Sequence, residues 1–395
     1  MRSSQNALER PIPVSLRAIA KRLDLSVTTV SRALGGFPEV GAATRARVRA
    51  EAARIDYRPN QLARRLRHGR SDAVGLVLPA EVGQFDDPFF LRLLAAIGPA
   101  LQCAGLDLLV MTARPGAEEL RAYRHLIEGS RVDGMLLART RRDDPRIRYL
   151  LDRRAAFVAY GRCEAKRPYA FVDTDGAAAC RMATERLIGF GHRRIGLINA
   201  APHYMFAHHR EQGWRAALAA ADLPRGPILH AEPSEEAGFT LMRALLAERA
   251  PPTAVVCAND RLAVGAMHAV SLAGMRAGRD ISLIGYNDLP MAGGTDPPLT
   301  SIEQPVARAG ARMVAMLVAL LGGADPAALQ EIWPPRLIPR ASDGPAPTRD
   351  GYETKTFKPR PARDVNSEPN PAKDAKSKPR PARDASNKPR PGRTP

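Results

Sequence analysis

At 395 residues the chain is long enough for two or three domains with their own buried cores, and its net charge of +18 lies at its ends. Residues 1–70 hold 15 Lys and Arg against 5 Asp and Glu, residues 351–395 hold 12 against 5, and residues 71–350 hold 32 against 31, so basic anion-binding segments flank a neutral body. No signal-peptide pattern and no 18-residue apolar run occurs, and Cys103, Cys163, Cys180 and Cys257 share no metal or redox spacing. The expectation is a reduced, cytoplasmic protein with no membrane partner, metal or cofactor.

Residues 1–12 read as a disordered arm. In the stretch that follows, Leu16, Ile19, Ala20 and Leu23 recur at helical spacing, and Asp24-Leu25 leaves room only for a tight corner. The next helix, from Val27 to Leu34, has Ser26 placed as its N-cap and an apolar side of Val30, Ala33 and Leu34. Its other side carries Thr28, Thr29, Ser31 and Arg32, small polar groups and one arginine, which is what a DNA major groove admits. A third helix from Thr44, its N-cap, to Arg54 completes a three-helix headpiece over 13–58.

Residues 59–71 form a linker: Pro59 suits the first position of a short helix, and Leu62 and Leu66 share its single apolar stripe. A helix so short folds only against a partner. From residue 72 to 342 short apolar runs (74–78, 106–111, 134–137, 157–160, 195–199, 254–257, 281–286) alternate with amphipathic stretches (89–103, 118–128, 177–188, 212–221, 239–248, 260–273, 306–321). That alternation predicts an α/β body of doubly wound parallel sheets, and its length predicts two lobes with a cleft between them. Residues 343–395 lose periodicity and repeat a Pro-x-Pro decamer four times, a disordered basic tail.

These segments together resemble the lactose-repressor/galactose-repressor (LacI/GalR) family of bacterial transcription factors. The resemblance rests on Thr28-Thr29-Val30-Ser31-Arg32-Ala33-Leu34 with Tyr57-Arg58-Pro59-Asn60, and on Gly191-His192-Arg193-Arg194-Ile195-Gly196-Leu197-Ile198. Arg210-Glu211-Gln212-Gly213-Trp214, Ala258-Asn259-Asp260, Gly285-Tyr286-Asn287-Asp288 and Pro298-Leu299-Thr300-Ser301-Ile302 with Gln304 follow in order. The stretches Leu78-Pro79-Ala80-Glu81 and Asp87-Pro88-Phe89-Phe90 are similar to those of regulators of α-glucoside uptake.

The resemblance implies that Val27, Thr28 and Arg32 read bases, that Ser26, Thr29 and Ser31 bond phosphates or brace those contacts, and that Arg17 faces the DNA backbone. It implies that Asn60, Ala63 and Leu66 belong to a hinge helix whose leucine wedges into a central minor-groove step. In the body it implies effector contacts from Asp87, Phe89, Phe90, Arg210, Asn259 and Gln304, and from one of Asn287 and Asp288. Asp24 stands where the family has Gly. The tail has no leucine heptads, so the expectation is a homodimer on a pseudo-palindromic double-stranded operator, released by a small ligand, a sugar.

The alternatives are a sugar-binding module of periplasmic type without gene control, a regulator fastened to DNA by a purine or other corepressor, and an enzyme. No nucleophile elbow or phosphate loop supports the last. His203, His208 and His209 have no acidic or Cys partner at ligand spacing, and Gly189-Phe190-Gly191 precedes a strand instead of following one, so neither a metal site nor a dinucleotide site is expected.

Overall fold

The computed structural model describes residues 15–57, 69–80 and 87–347. The N-terminal arm, the linker positions Asn60, Ala63 and Leu66, and the proline repeats lie outside the described residues.

Three helices, α1 (Leu16–Leu23), α2 (Val27–Leu34) and α3 (Ala42–Arg54), build the headpiece around Ile19, Ala20, Val30, Ala33, Val48 and Ala52. Asp24 turns the corner between α1 and α2 at φ 53°, ψ 51°, a left-handed conformation that a short polar side chain tolerates. The Ser26 hydroxyl accepts from the Thr29 amide at 3.0 Å and so caps α2. Helix α3 starts two residues before Thr44, with Gly41 at its N-cap, so Thr44 sits inside the first turn.

The body consists of two lobes. The first sheet takes β1 (Ala73–Pro79), β2 (Asp107–Ala113), β3 (Gly134–Ala138), β4 (Ala156–Tyr160), β5 (Ala170–Thr174) and β11 (Gln330–Trp333), in the order β11-β5-β4-β3-β1-β2. Every pair is parallel. Alternate residues of β1 serve opposite faces: Val74, Leu76 and Leu78 join α4 (Pro88–Cys103) and α12 (Val306–Leu321), while Ala73 and Val77 meet the layer of α5 (Ala117–Glu128) and α6 (Pro145–Asp152).

The second sheet takes β6 (Ile195–Ala200), β7 (Ile228–Ala231), β8 (Ala254–Cys257), β9 (Ser282–Asn287), β10 (Thr300–Glu303) and β12 (Arg336–Ile338). Its order is β12-β10-β9-β8-β6-β7, and only β12 runs antiparallel. Ile195, Leu197, Ala254 and Val256 face α7 (Gly176–Gly189) and α8 (Met205–Ala220). Ile198, Ala200, Val255 and Cys257 face α9 (Glu235–Leu246) and α10 (Asp260–Leu272). A single turn, α11 (Pro290–Gly293), closes that side. The chain passes between lobes after β5, after β10 and between β11 and β12, a three-stranded hinge.

Five strands fall outside the apolar runs read in the sequence: β5, β7, β10, β11 and β12. They are three to five residues long, and each carries a charged residue or a histidine that hides its period. Helix α6 is hidden by Arg146, which is buried on Asp144 (2.7 Å) and Glu119 (3.0 Å). Helix α8 begins at Met205 rather than 212, so His208, His209 and Arg210 lie on the helix and not in a loop before it.

Both ends of the body are tied into it by hydrogen bonds. Arg70 and Ser71 already dock on the first lobe, where Asp133 accepts from the Ser71 amide (2.7 Å), its hydroxyl (3.0 Å) and the Asp72 amide (2.8 Å). At the other end the body extends past 342. Asp343 pairs with Arg186 at 2.5 Å and accepts from Thr300 Oγ1, and the Ala346 amide donates to Phe190 O at 2.8 Å.

Candidate functional site

Helix α2 buries Val30 and Ala33, which turns Val27, Thr28 and Arg32 outward. Val27 is 41% exposed at the start of the helix, an apolar side chain left in water beside two polar ones. Ser26 is exposed while capping the helix, Thr29 and Ser31 are half-buried, and Arg17 on α1 is exposed. Every sequence-predicted DNA-contact position among the described residues is thus exposed or half-buried, and Asn60, Ala63 and Leu66 lie outside those residues. Ser26 Oγ and Thr29 Oγ1 are 2.8 Å apart, so these two hydroxyls fix each other.

Between the lobes lies a cleft of about 680 Å3 counted to its open mouth. Its walls come from the carboxyl ends of the strands, where open α/β sheets place their ligands. Arg139 and Thr140 follow β3, Tyr160 and Gly161 end β4, Asp173 and Thr174 end β5, Asn259 follows β8, Tyr286 and Asn287 end β9, and Gln304 follows β10.

Two aromatic faces oppose each other. On the first lobe Phe89 stacks on Tyr160 at 5.6 Å. On the second the Arg210 guanidinium lies 3.6 Å from the centre of the Tyr286 ring and 4.6 Å from that of Phe206. Arg210, 4% exposed, also donates to Ala258 O. Two carboxylates of the cleft are paired, Asp87 with Arg139 and Asp173 with Arg162 at 2.9 Å, while Arg210 has no carboxylate partner among the described residues.

Burial pushes the Asp173 carboxyl up to about 6 against the pull of Arg162. Burial pushes the His209 imidazole down to about 4, and Arg162 and His208 add to that. Both therefore present mainly their ordinary neutral-pH forms, carboxylate and uncharged ring. Tyr160 Oη, Thr174 Oγ1, Arg210 Nε and Asn287 Oδ1 are buried polar atoms without a hydrogen-bond partner, donors and acceptors left for something in the cleft.

Six of the eight effector positions read in the sequence line the cleft: Asp87, Phe89, Arg210, Asn259, Asn287 and Gln304. Two do not. Phe90 is turned into the core of the first lobe, 4% exposed, because it follows Phe89 around α4 by one residue and so faces the sheet. Asp288 is spent on Arg340 at 2.7 Å, which leaves Asn287 as the member of that pair facing the cleft. Asp87 and Asn259 have structural duties as well, accepting from the Phe89 and Leu262 amides as N-caps of α4 and α10. Arg139, Tyr160, Asp173 and Phe206 were not singled out in the sequence, and His209, weighed there only as a metal ligand or a loop residue at the cleft, lines it from α8. The signal for the first three is position within two residues of a strand's carboxyl end, and for Phe206 position one turn before Arg210; both need the element ends first.

The rim is fastened by main chain. The Met205 amide donates to Thr140 O and the Arg142 amide to His203 O, each at 2.9 Å, a single antiparallel bridge between the first and second lobes. Arg92 Nη1 donates to Asp288 O at 3.3 Å from lobe to lobe.

Comparisons with known proteins bear on both halves. The profile described as bacterial regulatory proteins, lacI family, matches residues 15–60, and that of a periplasmic binding protein-like domain matches residues 184–342. The HTH-type transcriptional regulator AglR of Rhizobium meliloti is 39% identical over 344 residues, which cover 86% of this chain and 96% of that relative. The chain belongs to the lacI family. As a member of that family it is a helix-turn-helix transcriptional regulator, with a DNA-reading headpiece joined to a ligand-binding core. Among solved structures, a transcriptional regulator CelR–cellobiose complex superposes with a TM-score of 0.64 at 31% identity. A lac repressor dimer bound to operator and the anti-inducer ONPF superposes at 0.74 and 26%. Each covers 84% of this lacI-family chain and 100% of the other. Among the described residues no helix is long and apolar enough to cross a membrane.

Proposed function

We propose that this lacI-family protein is a dimeric repressor, acting in the cytoplasm without catalytic turnover, that a sugar releases from its operator. The observation that carries the ligand class is the cleft itself. Asp87 and Asp173 are already paired, its two walls carry aromatic rings, and its unpartnered atoms are two hydroxyls, an amide oxygen and the Nε–H of the Arg210 guanidinium. A flat-sided, hydroxyl-rich molecule meets these conditions, its hydroxyls accepting from Arg210 and pairing with the other polar atoms, whereas a purely apolar one leaves those atoms unpaired. The solved complex of a related regulator with cellobiose supports the same class.

In this reading Asp87, Phe89, Arg210, Asn259, Asn287 and Gln304 hold the sugar. Val27, Thr28 and Arg32 read bases, and Arg17, Ser26, Thr29 and Ser31 seat the headpiece on phosphates. Asn60, Ala63 and Leu66 of two protomers complete the contact at the operator centre. Ligand acts by favouring one arrangement of the lobes, and because Ser71 and Asp72 are pinned to Asp133, the base of the linker moves with the first lobe.

The test is selection of duplexes from a random library by the purified full chain, followed by titration of the selected complex with mono- and disaccharides. A two-fold-symmetric site released by one sugar at sub-millimolar concentration is the expected result. Enrichment of such a site with no release by any sugar refutes the ligand class and leaves the DNA reading standing.

A further inference from the structure

Asp260 is a fully buried carboxylate next to the cleft residue Asn259, yet it does not line the cleft. Its two oxygens are both engaged. Oδ1 accepts from Ser301 Oγ and Oδ2 from the Leu289 amide, each at 2.6 Å. The same Ser301 hydroxyl accepts from the Asp288 amide at 3.2 Å. One carboxylate and one hydroxyl therefore bracket two successive amides, those immediately after Asn287.

The segment so held is strained. Asn287 has φ 110° and Asp288 φ 49°, two consecutive non-glycine residues on the side of the backbone map that favours glycine. Such a conformation persists only where its surroundings over-determine it. Here it carries β9 out of its sheet and leaves Asn287 Oδ1 buried at the cleft without a partner. The bracket also explains Gly285: a Cβ there would stand 2.4 Å from Asp260 Oδ1, so only glycine lets the strand pass the carboxylate.

We infer that Asp260 is a positioning residue for effector binding, acting through Ser301 and the Asp288 and Leu289 amides to hold the Asn287 carboxamide aimed into the cleft. This rests on the reading of the cleft as the effector site. It adds that the binding geometry of the β9 corner is imposed by a residue that touches no ligand.

The test uses the full-length protein and the variants Asp260→Asn and Ser301→Ala. Asn keeps one acceptor but replaces the other with an NH2 that cannot receive the serine proton; Ala removes the bridge while keeping the backbone. Hydrogen exchange without any ligand reads the bracket directly. At least tenfold faster exchange at the Asp288 and Leu289 amides, with β8 and α10 unchanged, is expected in both variants. Unchanged exchange at those two amides overturns the inference.

The second readout is a double-mutant cycle on affinity for the releasing sugar, with cellobiose as the first probe. Asp260→Asn alone is expected to weaken binding at least fivefold, and less than twofold when Asn287 is already Ala. Additive losses mean that Asp260 does not act through Asn287 and overturn the assignment. If no sugar binds the wild type, the ligand class fails while the exchange data still decide the bracket.

Discussion

Replacing Met205 by Pro tests whether the interlobe bridge governs closure. Met205 is the first residue of α8, and Tyr204 before it is extended at φ −77°, ψ 134°. A proline is favoured at the first helical position, and the residue preceding it has the conformation that proline demands. The substitution therefore removes the N–H that donates to Thr140 O and asks little else of the backbone. The side chain is 8% exposed, so Met205→Ala serves as the control that loses the packing but keeps the donor.

One net hydrogen bond contributes about 0.5–1.5 kcal/mol, which is roughly 2- to 13-fold in the balance between bridged and parted lobes. The assay is exchange of the Arg142 amide, which donates to His203 O in the same bridge and opens with it. In Met205→Pro it is expected to exchange faster than in Met205→Ala by that factor, and the apparent affinity for the releasing sugar falls in proportion, because less of the protein is closed. Equal Arg142 exchange in the two variants would show that the bonds do not act as a unit and would refute the reasoning.

Arg32→Ala should cost about 1–3 kcal/mol of operator discrimination per half-site while leaving binding to random duplex at low salt nearly intact, as compared in anisotropy titrations on both DNAs. Unchanged operator affinity would remove Arg32 from base reading. Arg210→Met should leave operator binding in the absence of sugar within about twofold and raise the sugar concentration needed for release roughly 10- to 150-fold, the worth of a charge-assisted hydrogen bond. Release at the wild-type concentration would take Arg210 out of the effector contact.

Asp260 gives a pH signature. Burial raises its carboxyl from 3.8 to about 7, with Asp288 pushing in the same direction and the Ser301 hydroxyl, the Leu289 amide and Arg340 pulling back. Between those values the folded state keeps a proton that the unfolded chain has released. Its stabilising contribution is complete below pH 4 and is lost as pH rises through 7, on the order of 4 kcal/mol at about 1.36 kcal/mol per unit. Asp260→Asn lacks that slope, so in urea melts it should gain on the wild type between pH 5 and pH 8. A constant difference would show that the group does not titrate in that window.

Much of this molecule follows from sequence alone, because its signals are local. The period of Leu16, Ile19, Ala20 and Leu23, the cap at Ser26 and the two-residue corner at Asp24 suffice to specify the headpiece. Alternating apolar runs and amphipathic stretches suffice for a two-lobed α/β body, and motif matches pick out six residues of the cleft. Only tertiary structure decides the rest. Short polar strands such as β10 and β12 are strands because a neighbour pairs with them, not because of their own period. Phe90 and Asp288 sit beside true cleft residues in sequence and point elsewhere, since one residue along a helix turns a side chain by about 100° and a strained corner can do the same. Asp343 is part of the body because Arg186 and Thr300, more than 40 residues away in sequence, receive it. Asp260 likewise shows its role only where Ser301 and Leu289 close on it, since burial and hydrogen bonding belong to the folded neighbourhood and leave no period in the chain.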